Sequence, residues 1–148
     1  GNILLQINQE KCFDIESDKF IYDIKICDFG FATPVSNKDC ISEMGTPNFI
    51  APEMILVEKS LKKETIFKVD IWSAGVTFYT CLFTIPPFET KSKNETFNLI
   101  TSCTYSFKKS INPLIQNLIE NMIVRDPSMR LSVEELLKHD FFIQKFDD

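Results

Sequence analysis

The sequence is poor in the residues that build metal centres. Histidine occurs once, and the five cysteines are spread so widely that no CxxC pair exists. A structural zinc site needs closely spaced Cys or His ligands, so we exclude one here. An odd number of scattered cysteines is typical of reduced thiols, and it predicts a cytosolic or nuclear protein.

An excess of basic residues is also missing. The 16 Lys and Arg residues are outnumbered by 21 Asp and Glu residues, which gives a formal net charge of −5 at pH 7. A protein that binds the phosphates of a nucleic acid needs a basic face. We therefore expect no nucleic acid partner.

A long, purely apolar run is absent as well. Residues 71–88 carry no charge, but they include one serine, three threonines and the pair Pro86-Pro87. A membrane-spanning helix needs about 20 predominantly apolar residues. We interpret this stretch as a buried core helix and expect no membrane partner.

Enough apolar residues are present to form a core. They make up 44% of the sequence, against 25% charged residues, and the 148 residues suit a single globular domain. The chain starts at Gly1 and enters the apolar run 3–5 without the polar lead that is usual at a natural terminus. We interpret it as beginning inside a domain, with a processed or trimmed terminus as the alternative.

The first third of the chain predicts a hairpin followed by a long loop. Residues 3–7 form one expected strand, and residues 24–27 alternate apolar and polar side chains as a second strand does. The polar residues 9–18 between them predict a loop. Residues 28–52 have no helical period and contain glycine and proline. Loops longer than about 12–15 residues are usually functional or disordered, which marks this region for attention.

In the rest of the chain, the sequence pattern predicts helices. Residues 69–83 are the buried helix, and capping-box patterns at 92–95 and 132–135 predict two further helix starts. Asn112-Pro113 fits an N-cap followed by proline at the first helical position, ahead of apolar residues at helical spacing from 114 to 123. The expected fold class is α+β, mainly α, in one domain.

Four short motifs follow one another along the chain. They are Asp28-Phe29-Gly30, Gly45-Thr46-Pro47, Ala51-Pro52-Glu53 and the segment DIWSAG at 70–75. In this order the sequence resembles the eukaryotic protein kinases, and specifically their C-terminal lobe. The resemblance implies a helical lobe with a short β-hairpin at its start and no N-terminal lobe. Residues 1–142 would be a partial kinase domain, from the end of the catalytic loop through the last helix, and residues 143–148 a tail.

Within the kinases, the sequence is most similar to the polo-like group. The pair Gly1-Asn2, the run 45–53 (GTPNFIAPE) and the run 86–90 (PPFET) fit that group. The resemblance implies a Ser/Thr kinase that uses ATP and Mg²⁺, acts on protein Ser or Thr, and has a role in the cell cycle. A kinase of the calcium/calmodulin-dependent type is the alternative.

The resemblance also implies which residues bind the nucleotide and its metal. Asn2 and Asp28 would supply oxygen ligands to magnesium, a hard cation. Leu4 and Cys27 would lie near the adenine. The alternatives are a plain turn residue for Asn2, an Asx-turn before Gly30 for Asp28, and core packing for the other two.

The family's activation segment would run from Asp28 to Glu53. Phe29 is expected between the lobes, or as an ordinary core aromatic. Thr46 resembles the threonine that marks Ser/Thr specificity, or else serves the turn beside Pro47. Ser42 lies where the polo-like group carries an activating threonine, so we expect its phosphorylation in the intact protein; a solvated loop serine is the alternative.

Three further positions are expected to be structural. Glu53 and Arg130 resemble the family's buried ion pair between the activation segment and the last helices. Asp70 begins the buried helix, where its carboxylate would accept catalytic-loop N–H groups or act as a simple N-cap. Trp72 belongs to the same motif.

Several of the family's motifs are not found in this sequence. They are the Gly-rich loop, the strand lysine, its glutamate partner and the H-R-D motif with the catalytic base, all of which would lie upstream of Gly1. We therefore expect the 148 residues alone to be inactive. The other class of function is a truncated or pseudokinase lobe that acts as a protein-binding module.

Overall fold

A computed structural model gives the structure of the protein and describes residues 2–7, 22–34, 45–56 and 63–143. The chain divides into two compact units, Gly1–Thr33 and Pro34–Asp148. Ser42 and the predicted loop at 9–18 lie outside the described residues.

The first unit contains a two-stranded antiparallel hairpin. Strand β1 covers Ile3–Ile7 and β2 covers Tyr22–Ile26, with Ile3 opposite Ile26 and Leu5 opposite Ile24. Side chains of opposite residues share a face, so one face of the hairpin is entirely apolar. The predicted hairpin is confirmed, although its second strand begins and ends earlier than expected.

The second unit is helical. A 3-10 turn at Pro47–Phe49 precedes seven helices within the described residues. Their bounds are α1 Pro52–Ile55, α2 Lys63–Ile66, α3 Lys68–Phe83, α4 Lys93–Ser102, α5 Pro113–Met122, α6 Val133–Leu136 and α7 Asp140–Ile143. The three longest confirm the predicted helices, and α6 confirms the predicted start at 132. Helices α1, α2 and α7 were not predicted, because a four-residue helix is too short to show a period.

Helix α3 supplies one side of the core. Trp72, Val76 and Tyr79 are completely buried on one face, while Cys81 is exposed on another. The predicted core helix is therefore confirmed, and it buries one of its faces. No described helix has the length and apolar character needed to cross a membrane.

Two of the three predicted helix caps form. The Asn112 side chain accepts the Leu114 N–H at 2.8 Å, and Ser132 and Glu135 make a complete capping box. The box predicted at 92–95 is wrong, since Ser92 is the N-cap residue of α4 but makes no side-chain cap bond. Its backbone N–H, which the box would give to a glutamate, instead donates to Thr90 Oγ1 at 3.2 Å.

Candidate functional site

The hairpin brings Asn2 and Asp28 together. Asn2 precedes β1 and Asp28 follows β2, and the Cys27 N–H donates to the Asn2 carbonyl oxygen at 2.9 Å, which joins the two strand ends. As a result, Asn2 Nδ2 donates a hydrogen bond to Asp28 Oδ2 at 3.3 Å. Two residues 26 positions apart in sequence thus present an amide and a carboxylate at one place.

Asp28 has an unusual backbone conformation. Its φ of 65° lies in the left-handed region, which costs energy for a residue with a Cβ and is found at functional sites. The Gly30 N–H donates to Asp28 Oδ1 at 3.1 Å, and a Cβ on Gly30 would lie only 3.1 Å from that oxygen. The Asx-turn contact therefore exists, and it fixes Oδ1 while Oδ2 faces the Asn2 amide.

This pair has the chemistry that magnesium prefers. Both residues are exposed, and the Asn2 side-chain oxygen has no hydrogen-bond partner among the described residues. Magnesium is usually held by one or two carboxylates together with phosphates and water, so a cage of protein ligands is not required. No group of three or more His, Cys, Asp or Glu residues suited to a metal occurs in the described part of the chain.

Three other residues of the first unit had expected roles: Leu4 and Cys27 near the adenine, and Phe29 between the lobes. Leu4 is 52% exposed and Phe29 is 69% exposed, so neither is an ordinary core residue. Cys27 is half-buried. Strand alternation, continued one residue beyond β2, puts Cys27 on the same face of the hairpin as Leu4.

In the second unit, residues 46–50 form what we call the Thr46 segment. Thr46 is exposed, its carbonyl oxygen accepts the Phe49 N–H at 3.0 Å, and no described residue hydrogen-bonds its hydroxyl. Ser73 Oγ on α3 donates to the Phe49 carbonyl oxygen at 2.9 Å. The Asn48 side-chain amide donates to Glu89 Oε2.

Glu53 and Arg130 are paired in the core. Arg130 Nη1 lies 2.8 Å from Glu53 Oε1 and Nη2 lies 3.0 Å from Oε2, with both side chains at most 1% exposed. Arg130 also donates to the carbonyl oxygens of Val124 at 2.9 Å and Lys68 at 2.6 Å. Its guanidinium carbon is 5.2 Å from the centre of the Trp72 ring, in cation–π contact.

Sequence reasoning missed two side chains that fix this region. Lys68 Nζ donates to the Arg130 carbonyl oxygen at 2.5 Å, so the two residues hold each other's backbone. Glu89 holds Asn48 in the Thr46 segment. Neither contact has a sequence signal, because each joins positions more than 40 residues apart.

The catalytic-loop N–H groups that the Asp70 carboxylate is expected to accept belong to a motif that is not found in this sequence, so this role stays a prediction. Asp70 is the third residue of α3, it is exposed, and no described residue donates a hydrogen bond to its carboxylate. It is not a simple N-cap, since Phe67 occupies that position. Partial desolvation raises the pKa of its carboxyl above the usual range.

Comparisons with a family model and with individual proteins both find similarity to protein kinases. The sequence matches the family model for the protein kinase domain over residues 1–142. Serine/threonine-protein kinase PLK1 of Xenopus laevis is 43% identical over 122 residues, which are 81% of this chain and 20% of that protein. Probable serine/threonine-protein kinase CCRP1 of Zea mays is 41% identical over 123 residues, 80% of this chain and 19% of that protein. The chain thus spans about a fifth of the length of these curated relatives.

Proposed function

The chain belongs to the protein kinase family, and on this premise we propose that the protein transfers the γ-phosphate of ATP to serine or threonine of a protein substrate. The observation that carries the proposal is the contact between Asn2 and Asp28, which places the side-chain amide of one beside the carboxylate of the other. Similarity to Ser/Thr kinases, including polo-like ones, supports the substrate class and a polo-like assignment. A role in the cell cycle would follow from that assignment.

Asn2 and Asp28 would hold magnesium against the phosphates of ATP. Bound magnesium would neutralise phosphate charge, which is most of what a kinase site must do besides positioning its substrates. The protein's own contribution is to orient the carboxylate oxygens of Asp28. Gly30 fixes one carboxylate oxygen of Asp28, and the Asn2 amide N–H fixes the other, so the free lone pairs have a defined direction.

The remaining residues take supporting roles in this proposal. Leu4 and Cys27 would contact the adenine from one face of the hairpin. Thr46 would select Ser or Thr in the substrate, and phosphorylation of Ser42 would activate the protein. Each assignment is supported by the position of the residue in the family's motifs.

The proposal is tested by labelling with γ-labelled ATP, magnesium and a generic protein acceptor. The intact gene product is expected to label serine and threonine but not tyrosine. The 148 residues alone are expected to give no labelling above that of their Asp28→Ala variant, because the family's base and strand lysine are not found in this sequence. Transfer by the 148 residues would contradict the second expectation, and an inert intact protein would contradict the first and favour a binding module.

A further inference from the structure

Among the described residues, those that fix the Thr46 segment lie at its end rather than at its start. Ile50 is 7% exposed and Ala51 is 2% exposed, so the core holds the chain beyond the segment. On the other side, Gly45 has a φ of 111°, and a Cβ placed there would meet no atom of the described residues within 4 Å. Between these two ends, Phe49 packs against the core, and hydrogen bonds from Ser73 and to Glu89 hold the rest of the segment.

Asn48 provides the side-chain contact nearest to Thr46. The bond from Ser73 reaches the carbonyl of Phe49, one residue further along, and the Asn48 amide bonds to Glu89. Glu89 lies in the loop directly after Phe88, which is fully buried and stacks on Trp72 at 5.4 Å. An exposed carboxylate is thus attached to a rigid part of the core.

Among the described residues, Glu89 is the side chain that sets the orientation of the Asn48 amide. Asn48 Oδ1 is buried and has no hydrogen-bond partner among the described residues. Turning the amide over would place this oxygen against the Glu89 carboxylate, and two acceptors repel each other. A buried acceptor without a donor is unfavourable, so the observed orientation depends on the charge-assisted bond to Glu89.

We propose that Glu89 is a positioning residue for the protein substrate, acting through Asn48 to hold the Thr46 segment in the conformation that receives the substrate chain. The inference rests on the proposed function, because it assigns substrate contact to this segment. Glu89 itself need not touch the substrate or the nucleotide. Its loss should weaken substrate binding while the phosphate-transfer step keeps its rate.

Hydrogen exchange on the intact protein tests the positioning step without any need for catalysis. In Glu89→Ala, the backbone amides of Phe49 and Ile50 are expected to exchange about tenfold faster than in wild type, because their turn loses its anchor. Glu89→Gln keeps an acceptor for the Asn48 amide and should stay close to wild type. Glu134→Ala removes an exposed carboxylate from α6 and is the matched control. Unchanged exchange in Glu89→Ala would overturn the inference.

Steady-state kinetics test the consequence for the substrate. Glu89→Ala is expected to raise the KM for a peptide substrate about tenfold, as the loss of one charge-assisted bond implies, with kcat and the KM for ATP nearly unchanged. Glu89→Gln should restore most of the peptide KM. A fall in kcat alone, or equal effects on peptide and ATP, would overturn the inference. If the wild type transfers no phosphate, the proposed function fails, while hydrogen exchange still decides whether Glu89 positions the segment.

Discussion

Glu53 and Arg130 are 77 positions apart in the sequence and form a two-bond ion pair in the core, at 2.8 and 3.0 Å. The pair ties α1, which follows the Thr46 segment, to the loop before α6. Because Arg130 also holds the backbone of Lys68 at the start of α3, one guanidinium joins three parts of the second unit. The stability of this unit should therefore depend strongly on both partners.

Loss of the Glu53 carboxylate should unfold or strongly destabilise the second unit. In Glu53→Ala, the Arg130 charge stays buried without its partner, which typically costs about 3–5 kcal/mol. Thermal unfolding of the variant measures the loss. Glu134→Ala, which removes an exposed carboxylate, should leave the midpoint nearly unchanged. A Glu53→Ala protein with the wild-type midpoint would contradict the account.

Gly75 should not tolerate a methyl group. A Cβ at this position would lie 2.8 Å from Met122 Cβ and 2.9 Å from Ile123 Cγ1, so α3 and the end of α5 would have to separate. We expect Gly75→Ala to lower the free energy of unfolding by about 1–3 kcal/mol, as overpacking does. Denaturant unfolding gives the value. Ala74→Ser, at the exposed neighbouring position, is the control and should change it little.

Thr84 offers a stabilising substitution. It ends α3 with a φ of 63°, a conformation that is strained for a β-branched residue and natural for glycine. Thr84→Gly would remove this strain, but it would also remove the hydrogen bond that the Thr84 hydroxyl donates to the Phe83 carbonyl oxygen. The net effect should be a rise of about 1 kcal/mol in the free energy of unfolding. Thr84→Val keeps the branching and should not stabilise. Equal or lower stability of the glycine variant would contradict this prediction.

The capping box of α6 should make stability depend on pH. The Ser132 backbone N–H donates to Glu135 Oε2 at 2.7 Å, and hydrogen bonding to Ser132 lowers the pKa of this carboxyl. A folded-state pKa below the unfolded value of about 4.3 means that the stabilisation is present above that pH. It is lost as the pH falls through the lower folded-state value.

The thermal midpoint measured between about pH 6 and pH 3 tests this contribution. Wild type should lose more stability over this range than Glu135→Gln, which cannot ionise. Glu134→Gln removes the neighbouring carboxylate on α6 and should retain the wild-type pH dependence. Equal pH dependence in wild type and Glu135→Gln would show that the capping box makes no such contribution.

The sequence predicted the elements that are fixed by interactions between residues close together in the chain. Alternation predicted the hairpin, and the caps at Asn112 and Ser132 predicted two helix starts, because each cap bonds to N–H groups two or three residues away. The motif resemblance identified Glu53 and Arg130, which no local rule could join. These predictions include the hairpin that brings Asn2 and Asp28 together and two of the helix starts in the second unit.

The predictions that missed depend on neighbours distant in sequence or on competing local bonds. The box at 92–95 did not form, because Thr90 already takes the Ser92 N–H. Asp70 is not an N-cap, because α3 begins two residues earlier, at Lys68. The contacts of Glu89 depend on a fold that brings distant segments together.

Phosphate transfer by the intact protein, measured at a series of magnesium concentrations, tests whether Asp28 holds the metal. Asp28→Asn keeps the size of the side chain and a bond to Asn2 but loses the charge. Asp140→Asn, at an exposed position on α7, is the matched control. We expect Asp28→Asn to lower kcat/KM by about a hundredfold or more, partly offset by high magnesium, and the control to keep wild-type activity. Equal activity of wild type and Asp28→Asn at every magnesium concentration would contradict this expectation.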